Sequence, residues 1–423
     1  MYTESKNEEL KREFSKESTL KTICAYANYH DGVIYIGVGD DGKTIFPIPN
    51  IDEERLRIEN IINTSITPRP FFNITKEENG QILKISVSKG KDGPYYCENK
   101  TYMRQDTSTV AVDGANLTRL ILRFKNLSFD EIEIQNEDLD FEYLKSELAS
   151  VLGISNISNQ VFITLGLMKN GKYNNGALLL ADNGEVKQSY IDIARFGLDT
   201  NSFGDELQLK DQSLLKQYND AYIYFTGMYQ PYQVIEGMRR VTKYPIPIEA
   251  FREALANAVV HRDYLYKSGV QIAMFDNRIE IRSPGGLPEG VTEEMYYANL
   301  SSEPRNPILA DVFKRLGIIE KWGTGVKKII DNYKKENSHP SFKIEQTQIT
   351  VILPVLNYDY TLLETNRAIM AYLGAFPNSP RSDIEEALKI EKTTLIRKLN
   401  ELLKDGEIIS NGRGPTVTYN IKW

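Results

Sequence analysis

The segment Phe251–Tyr264, FREALANAVVHRDY, decides the fold of the central part of this chain. Glu253 and Asn257 stand four positions apart in it, so on a helix they share one face. Two glycine turns follow, Gly285-Gly286 in RSPGGLPEG and Gly323-Thr324-Gly325 in EKWGTGVKK. Glycine lets a backbone approach a ligand closely, and magnesium prefers oxygen ligands such as a carboxylate or a carboxamide. The spacing indicates a magnesium–nucleotide pocket, and it equally fits a buried helix with a polar face followed by two ordinary turns.

The runs EALANAVVHRDY (253–264), DNRIEIRSPGGLP (276–288) and RNPILADVFKRLG (305–317) add a resemblance. Together with the Gly323-Thr324-Gly325 turn they resemble the degenerate GHKL-type ATP-binding module of bacterial RecG-related proteins and transcriptional regulators, over about Ile246–Pro354. The resemblance implies that Glu253 is a general base acting on water and that Asn257 coordinates magnesium. It implies further nucleotide contacts, with ATP as the nucleotide, at Gly285, Gly286, Gly323, Thr324 and Gly325.

The sequence departs from the GHKL pattern at two places. Arg282 and Ser283 stand where the family has an aspartate that reads adenine, and the second glycine box is reduced to the Gly323–Gly325 turn. The sequence therefore leaves open whether adenine is selected and whether a bound nucleotide is hydrolysed.

Length and composition exclude several classes of protein. With 423 residues, 41% of them hydrophobic and 26% charged, the chain has the composition of a soluble globular protein of two to four domains. No apolar run approaches the roughly 18 residues of a membrane span, and the charged amino terminus is unlike a signal peptide. Two cysteines and three histidines offer neither a disulfide framework nor a histidine-rich zinc site, so we expect a cytoplasmic location. The net charge of −7 means that any nucleic-acid surface must be local.

The amino-terminal segment carries a second acidic pattern. ESKNEELK places Glu4 and Glu9 five apart, followed by Lys11, and CAYANYHDGVIYIGVGDDGK (24–43) and YMRQDTST (102–109) come later. These motifs resemble the Schlafen-type AlbA-like domain over about residues 1–120. That domain binds nucleic acid, and in some Schlafen proteins it cleaves RNA with two glutamates and an aspartate.

Carried over by position, the acidic set is Glu4, Glu9 and Asp40, with Lys11 beside them. Asp41 is the alternative to Asp40, because Gly39 stands where family members often have an aspartate. Three such carboxylates would hold Mg²⁺ or Mn²⁺ to activate water, whereas a solvated charged helix would leave the domain a binder only. Arginine offers a planar fork of donors, so we expect phosphate contacts at Arg104, Ser108 and Thr109. The alternative is that Arg104 is a surface salt-bridge partner.

Residues 361–423 have the pattern of a winged helix. Leu362, Ile369 and Leu373 indicate one helix, IEEALKI (384–390) a second and KTTLIRKLNELLKDG (392–406) a third, followed by two short strands. In helix-turn-helix docking the amino end of the recognition helix enters the major groove, which predicts DNA contacts at Lys392, Thr393, Thr394, Arg397, Lys398 and, on the wing tip, Arg413. Nine basic residues against eight acidic ones give a net charge of only +1, and winged helices also serve as protein-contact or dimerisation modules.

We therefore predict a multidomain α+β protein. Its parts are an AlbA-like α/β domain at 1–126, a middle α/β region at 127–245, a degenerate GHKL-like α/β sandwich at 246–356 and a carboxy-terminal winged helix at 361–423. Within them we expect a charged first helix, a helix at about Ser18–His30, an acidic boundary at 128–140, a strand at GALLLAD (176–182) and a long helix at about Lys210–Tyr229.

The order of these parts resembles bacterial Schlafen AlbA-domain proteins of the transcriptional-regulator class. The first hypothesis is a DNA-binding regulator, expected as a homo-oligomer, whose GHKL-like domain binds a nucleotide or serves as a scaffold. The second is a metal-dependent nuclease acting on tRNA, other RNA or single-stranded DNA, in phage defence. The third is an ATP-driven clamp. The sequence leaves open whether the protein is an ATPase, an endoribonuclease or not an enzyme.

Overall fold

The computed structural model describes residues 2–135, 138–153, 157–200, 202–288, 290–298, 304–319, 324–334, 336 and 338–422. The chain divides into two compact units, the first ending at Ser128 and the second beginning at Phe129. Both units mix helices with sheets, which confirms the predicted α+β class. Within the described residues, no helix combines the length and the apolar character needed to cross a membrane.

The first unit is built on a four-stranded sheet of order β1-β2-β5-β4, with β1 parallel to β2 and the other pairs antiparallel. Its helices are α1 Lys16–Tyr29, α2 Ile51–Ser65 and α3 Gly114–Lys125. Its strands are β1 Glu8–Lys11, β2 Gly32–Ile36, β3 Ile66–Thr67, β4 Phe71–Glu77, β5 Ile82–Ser88, β6 Tyr96–Cys97, β7 Thr101–Gln105 and β8 Ser108–Val112.

The expectation of a charged first helix was wrong, because the charged segment around Glu9 is strand β1. Its backbone pairs in register with β2, and Leu10, 4% exposed, packs with Val38 and Ile82. Helix α1, by contrast, lies close to the predicted position. It is buried on nearly all sides, and the Asn28 side chain binds the backbone of Tyr95 through two hydrogen bonds of 2.9 and 2.8 Å.

The second unit is built on a six-stranded sheet of order β12-β11-β15-β16-β18-β17. Its first eight helices are α4 Glu142–Leu152, α5 Asn159–Thr164, α6 Asn175–Leu180, α7 Leu214–Met228, α8 Ile248–Val260, α9 Glu293–Tyr297, α10 Pro307–Arg315 and α11 Gly325–Lys334. The strands before the carboxy-terminal part are β9 Met168–Lys169, β10 Lys172–Tyr173, β11 Ile191–Phe196, β12 Phe203–Leu209, β13 Tyr232–Glu236, β14 Arg239–Lys243, β15 Val270–Met274, β16 Arg278–Pro284, β17 Ser341–Ile344 and β18 Gln348–Pro354.

The segments that we separated at 127–245 and 246–356 share this sheet and one hydrophobic core, because β11 pairs in parallel with β15. The GALLLAD segment is the capped helix α6 and not a strand, since a short apolar run has no decisive period. The acidic stretch at 128–140, predicted as a boundary between segments, also contacts the start of helix α10. Asp130 is fully buried, and its carboxylate accepts the backbone N–H groups of Ile308 (2.8 Å) and Leu309 (3.0 Å) at the start of α10.

The carboxy-terminal part contains the predicted three helices, α12 Thr365–Ala375, α13 Arg381–Leu388 and α14 Lys392–Asp405. The two strands predicted after them are β20 Ile408–Asn411 and β21 Thr418–Ile421, and a further two-residue strand, β19 Ser379–Pro380, lies between α12 and α13. Helix α12 packs on the β15–β16 turn, where the Asn277 amide donates to the Ala371 carbonyl at 2.7 Å. Gly374 lies against the Arg278 guanidinium, which an added Cβ would approach to 3.0 Å.

Strand β16 carries a buried cluster of charges on one of its faces. Glu280, 2% exposed, accepts hydrogen bonds from Arg278 at 2.8 Å and from Arg282 at 2.6 Å. Burial alone would raise the pKa of Glu280, but the two guanidinium groups outweigh it and the pKa is lowered. The carboxylate is therefore ionised in the folded protein and compensates the buried charge of Arg278.

Replacing Glu280 by glutamine keeps the side-chain shape but leaves buried positive charge uncompensated. We expect Glu280→Gln to lower the free energy of unfolding by about 3–5 kcal/mol, measured by urea denaturation followed by circular dichroism. Because the folded-state pKa is lowered, the carboxylate contributes stability above its unfolded pKa of about 4.3, and that contribution is lost as the pH falls through the folded-state pKa.

The matched control is Glu385→Gln, which removes a half-exposed partner of Arg381 at 3.3 Å. A surface pair of this kind contributes about 1 kcal/mol or less. Equal losses of stability in the two variants would contradict a structural role for the buried cluster.

Candidate functional site

A cavity of about 380 Å³ opens in the second unit between α8, the end of β16, α10 and the start of α11. Six of the seven residues predicted to contact a nucleotide line it, and the seventh, Gly323, lies outside the described residues. The six are Glu253, Asn257, Gly285, Gly286, Thr324 and Gly325. Tertiary folding thus brings together residues that are up to 72 positions apart, since 325 − 253 = 72.

The start of α11 packs against the polar face of α8. A Cβ added to Gly325 would lie 2.4 Å from Glu253 Oε1 and 2.6 Å from Asn257 Nδ2, so only glycine fits here without displacing these groups. Glu253 is 9% exposed and Asn257 is half-buried. The first turn of a helix presents unpaired N–H groups and a partial positive charge, so this arrangement joins an anion-binding helix end to a carboxylate and a carboxamide.

The Gly285-Gly286 turn packs closely on a neighbouring turn of the protein. A Cβ on Gly286 would lie 2.5 Å from the Gln346 carbonyl oxygen, and Gly285 has a φ of +103°. The Gly285 N–H donates to Thr347 O at 2.7 Å. The two glycines therefore allow the loop to pack on the β17–β18 turn, and they border the cavity from there.

Arg305, which the sequence analysis did not single out, joins two walls of the cavity. Its guanidinium donates to His261 O at 3.2 Å and to Gly286 O at 2.7 Å. His261 borders the cavity and is exposed there. Neighbouring protein atoms partly desolvate the ring, and this effect and the nearby Arg305 charge lower the pKa of His261. The imidazole is therefore neutral at neutral pH.

Helix α10 supplies another polar wall that sequence reasoning missed. Pro307, Ala310, Asp311 and Lys314 line the cavity, and their spacing of three, four and seven positions puts them on one helical face. This helical spacing could have identified the cavity-facing side of α10 from the sequence. With Arg305 and Glu253, the described part of the cavity wall carries two cations and two carboxylates.

The two residues that replace the expected adenine-reading aspartate point in different directions. Ser283 lines the cavity, but its hydroxyl donates to Ala258 O at 2.7 Å and so holds β16 to α8. Arg282 is paired with Glu280, on the face of β16 that carries the charged cluster. Neither side chain provides a carboxylate that could accept a hydrogen bond from the adenine amino group.

A polar cleft in the first unit is centred on Glu9 and Arg104. Arg104 Nη1 lies 2.7 Å from Glu9 Oε2, and Lys11 Nζ lies 2.9 Å from Glu9 Oε1. Arg104 is 5% exposed and also donates to Thr109 Oγ1 at 3.0 Å. Glu9 is thus shared by two cations, and this triad carries a net charge of +1.

Hydroxyl groups and a lysine complete the cleft beside this triad. Thr22 and Thr109 have their hydroxyl oxygens 3.2 Å apart, and Lys21 reaches the cleft from α1, where it pairs with Glu17. Arg104 Nε has no hydrogen-bond partner among the described residues. Of the predicted phosphate contacts, Arg104 and Thr109 line the cleft, whereas Ser108 is exposed outside it.

The predicted acidic set does not come together as a metal site. Among the residues that the structure describes, no three His, Cys, Asp or Glu side chains form a group that could hold a metal ion. Glu4 is exposed and accepts the Leu10 N–H at 3.3 Å, and Asp40 is exposed on the β2 turn. Asp41, the alternative, closes that turn by accepting the Thr44 hydroxyl at 2.6 Å. Hydrogen bonds from Thr44 and Lys43 lower the pKa of Asp41 to about 2.

The predicted DNA contacts of the carboxy-terminal part lie at the surface of α14. Lys392 and Thr393 are exposed at the helix start, and Thr394 is half-buried. Arg397 and Lys398 both pair with Glu401, at 2.7 and 3.0 Å. Arg413 is exposed between β20 and β21.

Two family models match parts of this chain. Residues 4–113 match the model described as "Schlafen, AlbA_2", and residues 267–353 match the one described as "Putative ATP-dependent DNA helicase recG C-terminal". The first range includes the Glu9–Arg104 cleft. The second includes the Gly285-Gly286 and Thr324-Gly325 turns and begins after α8, so Glu253 and Asn257 lie outside it.

The fold has a counterpart among solved structures. The crystal structure of the DIP2311 protein from Corynebacterium diphtheriae is similar over 99% of this chain and 92% of that chain, with a TM-score of 0.50 and 16% sequence identity. At this identity the likeness shows the fold alone. No curated protein matches the sequence. The chain therefore joins a Schlafen AlbA-type domain at its amino terminus to a RecG-related ATPase-like module in its second unit.

Proposed function

We propose that the second unit binds a magnesium–nucleotide complex in the cavity beside α8. The observation that carries this proposal is the contact of Gly325, at the first turn of α11, with Glu253 and Asn257. Phosphates bind well at helix amino termini because backbone N–H groups and the helix dipole both favour negative charge. Arg305 and Lys314 add positive charge to the same cavity. These features support a nucleoside triphosphate in preference to an uncharged ligand.

The residues present also suit a magnesium ion. The Asn257 side-chain oxygen is a hard oxygen donor, and magnesium keeps several of its waters when it binds to few protein ligands. When bound, the ion would neutralise part of the phosphate charge. Glu253 would then hold a water as general base, and the neutral His261 would be a hydrogen-bonding partner at the cavity wall.

Removal of the Asn257 carboxamide should abolish magnesium-dependent nucleotide binding while the fold is retained. We expect titration calorimetry to detect Mg²⁺–ATP binding by the wild type, none by Asn257→Ala, and binding without hydrolysis by Glu253→Ala. Gly325→Ala should also weaken binding, because its methyl group would displace both polar groups. The control Asn332→Ala removes a carboxamide that donates to Lys328 O within α11. A wild type that binds no nucleotide would leave this unit a scaffold.

We further propose that the first unit binds nucleic-acid phosphates in the Glu9–Arg104 cleft. The triad of Glu9, Lys11 and Arg104 carries a net positive charge at this cleft. Lys21 and the hydroxyls of Thr22 and Thr109 add donors on one side. Metal-dependent cleavage by Glu4, Glu9 and Asp40 is the alternative activity, and it would require Glu9 to leave both of its cations.

Incubation with tRNA separates these two activities, and charge reversal at Lys21 tests whether the cleft is the binding surface. We expect wild type to bind labelled tRNA without cutting it, in the presence of Mg²⁺ or Mn²⁺, and Lys21→Glu to bind it more weakly in an electrophoretic mobility assay. The control Lys43→Glu reverses a charge that is exposed on the β2 turn, outside the cleft. Metal-dependent products that disappear in Glu9→Gln would establish the nuclease and contradict the binder.

The carboxy-terminal part completes the proposal as a DNA-binding winged helix of a transcriptional regulator. Three helices precede a β-hairpin, and the basic residues of the third helix are solvent-accessible near its amino end. Such a helix end is the part that reads the major groove in helix-turn-helix proteins. Glu401, one turn further along α14, pairs with both Arg397 and Lys398, and DNA phosphates would replace it as their partner.

The double variant Arg397→Glu/Lys398→Glu places acids against phosphates and should weaken duplex DNA binding. The slope of log affinity against log salt should fall by roughly one for each lost contact, which fluorescence anisotropy at several salt concentrations measures. The control Lys404→Glu reverses an exposed charge at the other end of the same helix. An unchanged slope in the double variant would move DNA recognition away from α14.

A further inference from the structure

A two-stranded β-ribbon, formed by β13 and β14, stands outside every other sheet of the second unit. The strands pair in register from Tyr232↔Lys243 to Glu236↔Arg239 and turn through Gly237 and Met238. Met238 is fully exposed at the tip, and Ile235 is 76% exposed. A lone hairpin is marginally stable in water at best, so this ribbon is suited to a role in which a partner covers it.

The base of the ribbon is firmly held on both sides. Before β13, the buried Tyr229 hydroxyl donates to Phe275 O at 2.7 Å and to Arg278 O at 3.0 Å. After β14, Ile246 is fully buried, and Leu356 N donates to Pro245 O at 2.7 Å. Five residues per strand, at about 3.4 Å each, give an arm about 17 Å long.

The two faces of the ribbon differ in composition. One face carries Val234 and Val241, which are half-buried, and the Lys243–Glu236 ion pair at 2.7 Å. On the other face the cross-strand pairs Gln233↔Thr242 and Ile235↔Arg240 are exposed at all four positions. Glutamine, threonine and arginine form hydrogen bonds with base edges, and apolar side chains contact the thymine methyl group.

The charge of the ribbon favours a polyanion over a second protein surface. Residues 232–243 hold three cations and one acid, a net charge of +2 in a chain whose net charge is −7. Arg239 and Arg240 have no ion-pair partner within the described part of the chain. The long apolar side chains at the tip are too few for a stable protein interface, which buries about 800 Å² on each partner.

We infer that the β13–β14 ribbon is a DNA-binding arm that enters the major groove of duplex DNA. The major groove admits a two-stranded β-ribbon, whereas the deep, narrow major groove of double-stranded RNA excludes side chains. Arg239 and Arg240 contact phosphates, and Gln233, Ile235 and Thr242 meet the bases. This surface is separate from the nucleotide cavity and from α14, and it does not rest on either of those proposals.

The test compares the full-length wild type with Arg239→Ala/Arg240→Ala in binding to a fluorescein-labelled, mixed-sequence DNA duplex. Loss of two phosphate contacts should reduce the slope of log affinity against log salt by about 1.8 and weaken binding roughly tenfold at low salt. The control is Lys169→Ala/Lys172→Ala, because these exposed lysines flank the turn of a second small hairpin, β9–β10, in the same unit. This variant should bind DNA as the wild type does.

Two further measurements make the outcome decisive. The Met238→Cys thiol should exchange with a mixed disulfide tethered in the major groove of duplex DNA, so that a protein–DNA disulfide forms and the small thiol leaves, but not with a mixed disulfide tethered in the minor groove. The proposal of a DNA-binding arm would be overturned if the arginine variant kept the wild-type dependence of log affinity on log salt. It would also be overturned if both double variants lost the same DNA affinity. A change of sedimentation coefficient in the arginine variant, with unchanged DNA affinity, would assign the ribbon to self-association and likewise overturn it.

Discussion

The second unit depends on strand β16, which lies between β15 and β18 and whose two faces have different environments. Ile281 and Ser283 face the cavity, and Ser283 is bonded to α8. Arg278, Glu280 and Arg282 form the charged cluster on the other face. Because residues alternate across a strand, a shift by one position would bury the charges under α8 and expose the cavity floor. The buried Glu280 therefore fixes the register on which the cavity depends.

The same strand connects the cavity to the carboxy-terminal helices. Asn277, next to the start of β16, bonds to Ala371 in α12, and Arg278 packs against Gly374. The ribbon of β13 and β14 is anchored to this region too, through the Tyr229 hydroxyl and the Arg278 carbonyl, and it leads directly into α8. The cavity, the carboxy-terminal helices and the ribbon thus all contact β16 or the turn before it, which is the physical basis for treating the second unit as one structure and not as three modules.

The sequence predicted those secondary-structure elements that have a clear helical periodicity or a recognisable motif. The helical spacing of Glu253 and Asn257 and the apolar repeats of α14 were sufficient for those elements. Short charged or apolar runs did not predict their elements. Strand β1 forms because it pairs with β2, and helix α6 forms because Asn174 caps it. Arg305 and Asp130 act through contacts with residues far along the chain, at Gly286 and Ile308. Local sequence carries no signal for such contacts.

The central claim is that α8 and the first turn of α11 form the seat of a magnesium–nucleotide complex. The most direct measurement is a crystal structure of the full chain with Mg²⁺ and a non-hydrolysable ATP analogue. The account predicts phosphate density at the first turn of α11, beside Gly325, with the metal ion next to the Asn257 side-chain oxygen. Nucleotide density at any other place in the protein, or none in the cavity at saturating ligand, would contradict it.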